Sequence, residues 1–365
     1  MQIRNLSGRG TAFVRNAWYV AAWADELAAD KPLATMLLGE PVVLYRMTDG
    51  RPAALEDRCA HRSLPLSLGR VRGDAIECGY HGLRFDCAGS CVRIPGQAAI
   101  PKDARVRSYP AIEQDGCIWV WMGERDRMDP AAITRFPTMT RPGWQKTKLH
   151  ARIACNYQLV IDNLLDLSHL SFVHATTVGS AELADLAEVK TERDERGVRV
   201  SRWTLDVPPA PTYAQFGKYD CNVDRWQLTE FIAPCTLVIR NGSAKAGTGA
   251  PQGDDGEQRW EFIVCHGVTP ENDAVTNYFW AVTHEFGAND PAAVAEFHEQ
   301  SHQVIGEDIA VFVAQQRMLD LRPEAPLLDI RYDAGPIQAR RVVERMLAAE
   351  RVAAASATGA DHVPA

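Results

Sequence analysis

No stretch of this chain approaches the ~20 consecutive apolar residues of a membrane-spanning helix. The N-terminus carries Arg4, Arg9 and Arg15 with no apolar leader core behind them, and the apolar run at residues 17–23 is closed by Asp25 and Glu26. A basic excess is missing too. The 39 Lys and Arg stand against 47 Asp and Glu, for a net charge of −8, so the electrostatic footprint of a nucleic-acid binder is absent. There is no internal repeat and no GxGxxG dinucleotide fingerprint. The nine cysteines are an odd number, and a chain of 365 residues can bury a core without disulfide staples, which excludes a disulfide framework. These absences predict a cytoplasmic protein with reduced thiols, some of them candidates for metal, and with neither membrane nor nucleic acid as partner.

From residue 33 to 124 the pattern is one of short strands. The pieces at 42–45, 53–56, 75–78, 83–86 and 117–122 are apolar or alternating, each bounded by Gly, Pro or Asp. They predict a small all-β domain over residues 1–144, with an N-terminal extension at 1–12 and a linker at 125–144. Residues 145–350 are mixed, which makes the whole chain α+β. Helix is predicted over 158–173, a hairpin over 189–207 turning at 194–197, and strands within 225–240 and 259–283. A glycine-rich mobile loop is expected over 241–258. A long helix should open with Asp290 as N-cap and Pro291 in its first turn and run to about residue 319. Residues 351–365, rich in small side chains, are expected to form a disordered tail.

Two loops of the first domain each offer one thiolate and one imidazole. Cys59 and His61 come first; Cys78 and His81 follow after sixteen intervening residues. Two Cys and two His suit tetrahedral zinc, whose usual pattern pairs like with like. The mixed order suits a [2Fe–2S] centre in which each loop supplies a Cys to one iron and a His to the other. Imidazole in place of thiolate leaves less negative charge and raises the potential. Cys87 and Cys91 form a C-x3-C with no matching second pair and read as ordinary thiols.

The second constellation lies on the apolar segment 158–173 and just beyond it. On a regular helix Asp162 and Asp166 share a side, at a like-charge penalty of about 0.2–0.5 kcal/mol, and His169 joins them. His169 and His174 are five residues apart, which is ~140° round such a helix. For both imidazoles to meet one metal, the helix must end, bend or bulge between them, a π-bulge being one device. A mononuclear iron that activates oxygen takes two His and one carboxylate and keeps positions open. Asp308 is the candidate carboxylate. Val304, Ile305, Val311 and Phe312 flank it at helical spacing, so it lies on an apolar stripe where an unpartnered carboxylate is costly. Its neighbour Glu307 is expected to point into solvent.

With both constellations in hand, the chain resembles the Rieske non-haem iron oxygenases over residues 13–350. Cys59-x-His61 and Cys78-x2-His81 fit that family's Rieske motif, and Asp162-Asn163-x2-Asp166-x2-His169-x4-His174 fits its mononuclear iron motif. Within the family it is similar to the group of vanillate O-demethylase, toluenesulfonate methyl-monooxygenase and dicamba O-demethylase. The residues that carry this are Phe13-Val14-Arg15-Asn16-Ala17-Trp18-Tyr19-Val20-Ala21, Ile94-Pro95-Gly96-Gln97, and Asp333-Ala334-Gly335 with Arg340-Arg341.

The resemblance implies an N-terminal all-β Rieske domain and a C-terminal helix-grip domain with an antiparallel sheet over the iron. It implies Cys59 and Cys78 on one cluster iron, His61 and His81 on the other, and His169, His174 and Asp308 on a mononuclear Fe(II). Asp166 would bridge to a Rieske histidine, His81, of a neighbouring subunit in a head-to-tail homotrimer. Asn163 would lie near the iron and Asp162 behind its ligands. The implied protein is an oxygenase component that uses O2 to hydroxylate a methyl or methoxy group of a small aromatic acid, an ether carbon leaving as formaldehyde. NAD(P)H would act through a separate reductase carrying flavin and a plant-type [2Fe–2S] centre. Arg240 and His266 are candidate anchors for the substrate's carboxylate or sulfonate, while Tyr278, Phe279 and Trp280 are expected to fill the sheet's core. Ring dihydroxylation and N-dealkylation stay open within the family. A Rieske electron carrier and a helix-grip ligand-binding protein are the readings outside it.

Overall fold

The computed structural model describes residues 12–254 and 256–359. Two compact units emerge: Phe13–Arg135 with Thr269–Asn272, and Phe136–Val268 with the residues from Asp273 onward. Among the described residues no helix is long and apolar enough to cross a membrane.

The first unit strings together β1 (Trp18–Trp23), β2 (Leu33–Leu37), β3 (Glu40–Arg46), β4 (Pro52–Glu56), β5 (Arg70–Arg72), β6 (Ala75–Glu77), β7 (Arg84–Asp86), β8 (Cys91–Arg93), β9 (Ser108–Tyr109), β10 (Ala111–Gln114) and β11 (Cys117–Trp121). They pair in the orders β1-β11-β10, β2-β3-β4-β9 and β5-β6-β7-β8. One core joins the last two sheets: Val43, Tyr45 and Leu55 from one, Ile76 and Phe85 from the other, with Cys59, Cys78 and Cys91 packed among them. The two Cys-His loops leave the ends of β4 and β6, so their cysteines point into this core.

The second unit contains β12 (Gln145–Ile153), α1 (Tyr157–Leu165), α2 (Leu170–Val173), α3 (Glu182–Asp185), β13 (Glu188–Arg193), β14 (Gly197–Val207), α4 (Pro211–Gly217), β15 (Val223–Ile232), β16 (Thr236–Lys245), β17 (Trp260–Asn272), β18 (Val275–His284), α5 (Pro291–Leu321) and α6 (Ala334–Gly359). One sheet runs β12-β18-β17-β16-β15-β14-β13. Its strands alternate faces, as the period of two demands. Arg202, Gln227, Asn241 and Phe262 sit opposite one another across β14 to β17, on the covered face. The other face holds Trp203 and Trp226, whose rings are 5.4 Å apart, over Ala244 and Ala250. Asp290 caps α5 by accepting from Ala293 N at 3.1 Å. The buried stripe of α5 is Phe297, Ser301, Ile305, Asp308, Phe312 and Gln316. The helix therefore lays one stripe toward the sheet, the helix-grip arrangement of an α+β domain.

Several expectations need correction. The break between units falls at residue 135 rather than 144, because Phe136 and Met139 of the expected linker are buried. The supposed loop 241–258 begins as strand: β16 continues to Lys245, its small residues Gly242, Ser243 and Ala244 hiding the alternation. The helix expected over 158–173 is broken at Asp166. Of the expected tail, residues 351–359 are helical within α6, while 360–365 lie outside the described residues, as do 1–11 of the N-terminal extension. Val311 is 38% exposed, so the apolar stripe of α5 is narrower than its flanking residues implied.

Gly242 lies directly under Trp226, where an added Cβ would stand 2.1 Å from the indole. Gly242→Ala should destabilise the second unit by about 1–3 kcal/mol through overpacking, read by calorimetry as a lowered midpoint for that unit's transition.

Candidate metal centres and cavity

The two Cys-His loops are closed by the same pair of main-chain hydrogen bonds. Cys59 N donates to Leu64 O at 2.9 Å, and Ser63 N to Cys59 O at 2.9 Å. Cys78 N donates to Leu83 O at 2.8 Å, and Gly82 N to Cys78 O at 3.1 Å. The fourth residue after each cysteine is left-handed, Ser63 at φ 59° and Gly82 at φ 72°. Both cysteines are buried and both histidines exposed, with the imidazoles of His61 and His81 4.7 Å apart. Burial pushes the Cys59 thiol above its ordinary range, and the neighbouring Cys78 thiol adds to this. Gly69 leaves space for the loops, since a Cβ there would meet Glu77 O at 2.0 Å. Two sulfurs inward and two imidazoles outward is the donor set of a [2Fe–2S] cluster with one iron on two cysteines and the other on two histidines.

The second constellation owes its geometry to the broken helix. Asn156 caps α1, accepting from Gln158 N at 2.9 Å. At Asp166 the chain turns extended, with φ −118° and ψ 92°. Its Oδ1 accepts from Ser168 N at 2.9 Å and so starts a tight 3-10 turn, Leu167–His169. The helix resumes for one turn as α2 and ends at His174. This change of pitch and early termination, rather than a π-bulge, bring the two imidazoles to one place, 5.4 Å between centroids. Asp308 meets them from α5. His174 Nε2 is 3.2 Å and His169 Nε2 3.5 Å from Asp308 Oδ1, and the donor atoms of all three lie within 4.8 Å of one another.

Each histidine is held through its other nitrogen. His169 Nδ1 donates to Asp166 O at 2.7 Å, and His174 Nδ1 lies 2.7 Å from Glu307 Oε2. Both bonds leave Nε2 for a metal, as ligating histidines require. Glu307 is thus not a solvated bystander. One step round α5 from Asp308, it flanks His174 while Asp308 faces it. Burial depresses His169. Burial also opposes the charge of His174, but Asp308 and Glu307 outweigh it and raise that group. Asn163 Nδ2 reaches Asp308 Oδ1 at 3.3 Å and His169 Nε2 at 3.5 Å, which puts it beside the donors. Asp162 turns away and takes both ends of the Arg340 guanidinium, fixing α1 to α6. Two imidazoles and a carboxylate with an open side suit mononuclear iron.

That open side faces a cavity of about 90 Å³, with Leu164, Leu170, Ile239, Phe262, Val264 and Trp280 among its apolar walls. Gln227, Asn241 and His266 supply polar groups. His266 is buried, its Nδ1 2.7 Å from Tyr278 OH and its Nε2 without a partner; burial pulls its pKa down to about 3, so it is a neutral hydrogen-bonding group. Arg240 is no part of this cavity. It lies on the opposite face of β16, half exposed, where it pairs with Glu261 at 2.8 Å. Trp280 lines the cavity, while Phe279 stacks on His150. A second cleft, on the other side of His169, is lined by Asp162, Asn163, Asp166 and Arg340.

A Rieske-type cluster site in an all-β unit, and a 2-His-1-carboxylate site under a helix-gripping sheet, define a Rieske non-haem iron oxygenase. Residues 17–110 match the Rieske [2Fe-2S] domain, and residues 153–349 match the vanillate O-demethylase oxygenase C-terminal domain. The chain belongs to this family and is the oxygenase component of a Rieske monooxygenase. It is 38% identical to the toluene-4-sulfonate monooxygenase system iron-sulfur subunit of Comamonas testosteroni, over 93% of this chain and 98% of that one. It is 40% identical to the vanillate O-demethylase oxygenase subunit of a Pseudomonas species, over 94% and 98%. The crystal structure of dicamba monooxygenase bound to 3,6-dichlorosalicylic acid superposes with a TM-score of 0.86, at 31% identity, over 93% of this chain and 99% of that one. Another crystal structure of dicamba monooxygenase carries non-haem iron. Oxygenase components of such multicomponent systems draw electrons from a separate reductase.

His169→Ala should abolish turnover while the visible absorption of the cluster persists. Glu307→Ala should weaken ferrous iron binding about 10–100-fold by freeing the His174 ring, measured by iron titration of the apo-site, and Glu307→Gln should keep most of that affinity.

Proposed function

We propose that this chain hydroxylates the methyl or methoxy carbon of a small aromatic acid. The observation that carries the reading is the cavity itself: apolar walls, polar groups on the sheet, and His169, His174 and Asp308 at its border. Iron held by those three residues supplies the oxygen chemistry, with Cys59, His61, Cys78 and His81 holding the cluster through which electrons enter. The protein's own part is placement. Asp166 O and Glu307 fix the two imidazoles, Asn163 steadies Asp308, and the apolar walls exclude water and aim the methyl carbon. His266 offers a neutral hydrogen bond to the substrate. One hydroxylation serves two outcomes: on an ether oxygen the product collapses to a phenol and formaldehyde, and on a ring carbon it stays as a benzylic alcohol.

Asp166 borders the second cleft beside His169. In the proposed assembly it meets His81 of a neighbouring subunit, which makes a head-to-tail homotrimer part of the electron path. The reductase is proposed to carry flavin and a plant-type [2Fe–2S] centre and to take its electrons from NAD(P)H. The names of the relatives, which act on toluene-4-sulfonate, vanillate and dicamba, support an aromatic acid as the substrate class.

The test is a panel of methyl- and methoxy-substituted benzoates and benzenesulfonates, with a surrogate reductase, scored for oxygen uptake, formaldehyde and hydroxylated product. Substrate-dependent formaldehyde or benzylic alcohol is expected. A cis-diol on the ring, or oxygen uptake unaffected by every aromatic acid, would overturn the reading.

A further inference from the structure

The covered face of the sheet holds a buried positive charge that the protein does not neutralise. Arg225 on β15 is 2% exposed. Its Nη2 donates to Val178 O at 2.7 Å, and its guanidinium lies 3.9 Å from the centroid of the Tyr213 ring. Nε and Nη1 have no acceptor, and among the described residues no carboxylate pairs with it. Arginine keeps its charge even when buried, and an isolated buried charge is strongly unfavourable.

The neighbours sharpen the point. Opposite Arg225 stand Thr204 on β14 and Ser243 on β16, and Ser243 faces Trp260 on β17. The hydroxyl of Thr204 and the indole N–H of Trp260 are buried without partners, and the Tyr213 hydroxyl has no neighbour of its own but the Arg225 guanidinium. The surplus is of donors and of positive charge. Ordered water could occupy the N–H groups but could not supply the missing negative charge. Arg225 sits behind the cavity wall and not on it: Val178, whose carbonyl holds Arg225, lines the cavity, as do Thr212 beside Tyr213 and Gln227 two residues along the strand.

Resting on the function proposed above, we propose that Arg225 receives the anionic head group of the aromatic acid, carboxylate or sulfonate, and selects charged over neutral substrates. Arg240, the arginine that the sequence offered for this role, faces away. Arg225 and the anion would form a buried charge-assisted pair, His266 adding only a neutral hydrogen bond.

The test compares wild type, Arg225→Met and Arg225→Lys, all with both metal centres loaded. Substrates are 4-methylbenzenesulfonate and 4-methoxybenzoate beside their neutral sulfonamide and carboxamide. Arg225→Met should raise KM for the two anions by about 30-fold or more and change the neutral pair by less than about threefold, with Arg225→Lys in between. Without ligand, the Met variant should melt at or above the wild-type midpoint, since it sheds an uncompensated charge. In wild type, benzoate and benzenesulfonate should raise the melting midpoint and benzamide should not, a readout that needs no variant. Equal losses on charged and neutral substrates, unchanged KM for the anions, or no protection of wild type by the anions would overturn the assignment. If wild type turns over aromatic acids and Arg225→Met keeps the charge preference, this inference fails and the functional reading stands. Arg225-dependent anion protection in a wild type that oxidises none of the acids would support this inference and sink the functional reading.

Discussion

A regular helix carried on through His174 would set its imidazole ~140° from that of His169 and could not bring both to one metal. The catalytic unit depends on the break at Asp166, which ends α1 in an extended conformation and starts a 3-10 turn with its own side chain. The same residue's carbonyl oxygen then accepts from His169 Nδ1. One residue thus ends a helix, begins the next turn and fixes a ligand's tautomer. α2 ends after a single turn at His174, and both Nε2 atoms come to face Asp308 on α5.

Asp308 makes that convergence stable. A buried carboxylate is tolerated only among donors or cations, and here two imidazoles and Asn163 surround it. Glu307 extends the arrangement to the far side of His174, so that adjacent residues on α5 contact both nitrogens of one ring. The paired hydrogen bonds of the Cys-His loops achieve the same end in the first unit by a different route, since there the backbone closures repeat and the side chains follow. In both sites the donor atoms are held from behind, by carbonyls, a carboxylate or loop closures.

The sheet adds the electrostatics of the cavity. Its solvent-side face is ordinary tryptophan packing, but the covered face carries Arg202, Arg225, Gln227, Asn241 and His266 within an otherwise apolar interior. Gln227 bonds Asn241 at 3.4 Å and His266 bonds Tyr278 at 2.7 Å, whereas Arg225 keeps Nε and Nη1 unpaired, a charge unfavourable to folding unless an anion meets it.

The sequence by itself pointed to the α+β class and singled out Cys59, His61, Cys78 and His81, and His169, His174 and Asp308, as two candidate donor sets, each of which the structure brings together. Ligand spacing and hydrophobic periodicity are local properties of the chain, so each piece of these sets could be read within its own loop or helix. It also showed that the helix must end, bend or bulge between His169 and His174, where the 3-10 turn gives way to a single α-turn that stops at Val173. Tertiary structure decided the rest. Glu307 became a partner of His174 only because residues 133 positions apart in sequence meet in space. Arg240 went to the outer face and Arg225 to the covered one because the register of β15 and β16, set by pairing across the sheet, assigns each arginine to a face. Strand content over 241–245 was hidden because small residues pack under Trp226 instead of alternating. A side chain's face, partners and desolvation are fixed by neighbours distant in sequence, and no local pattern encodes them.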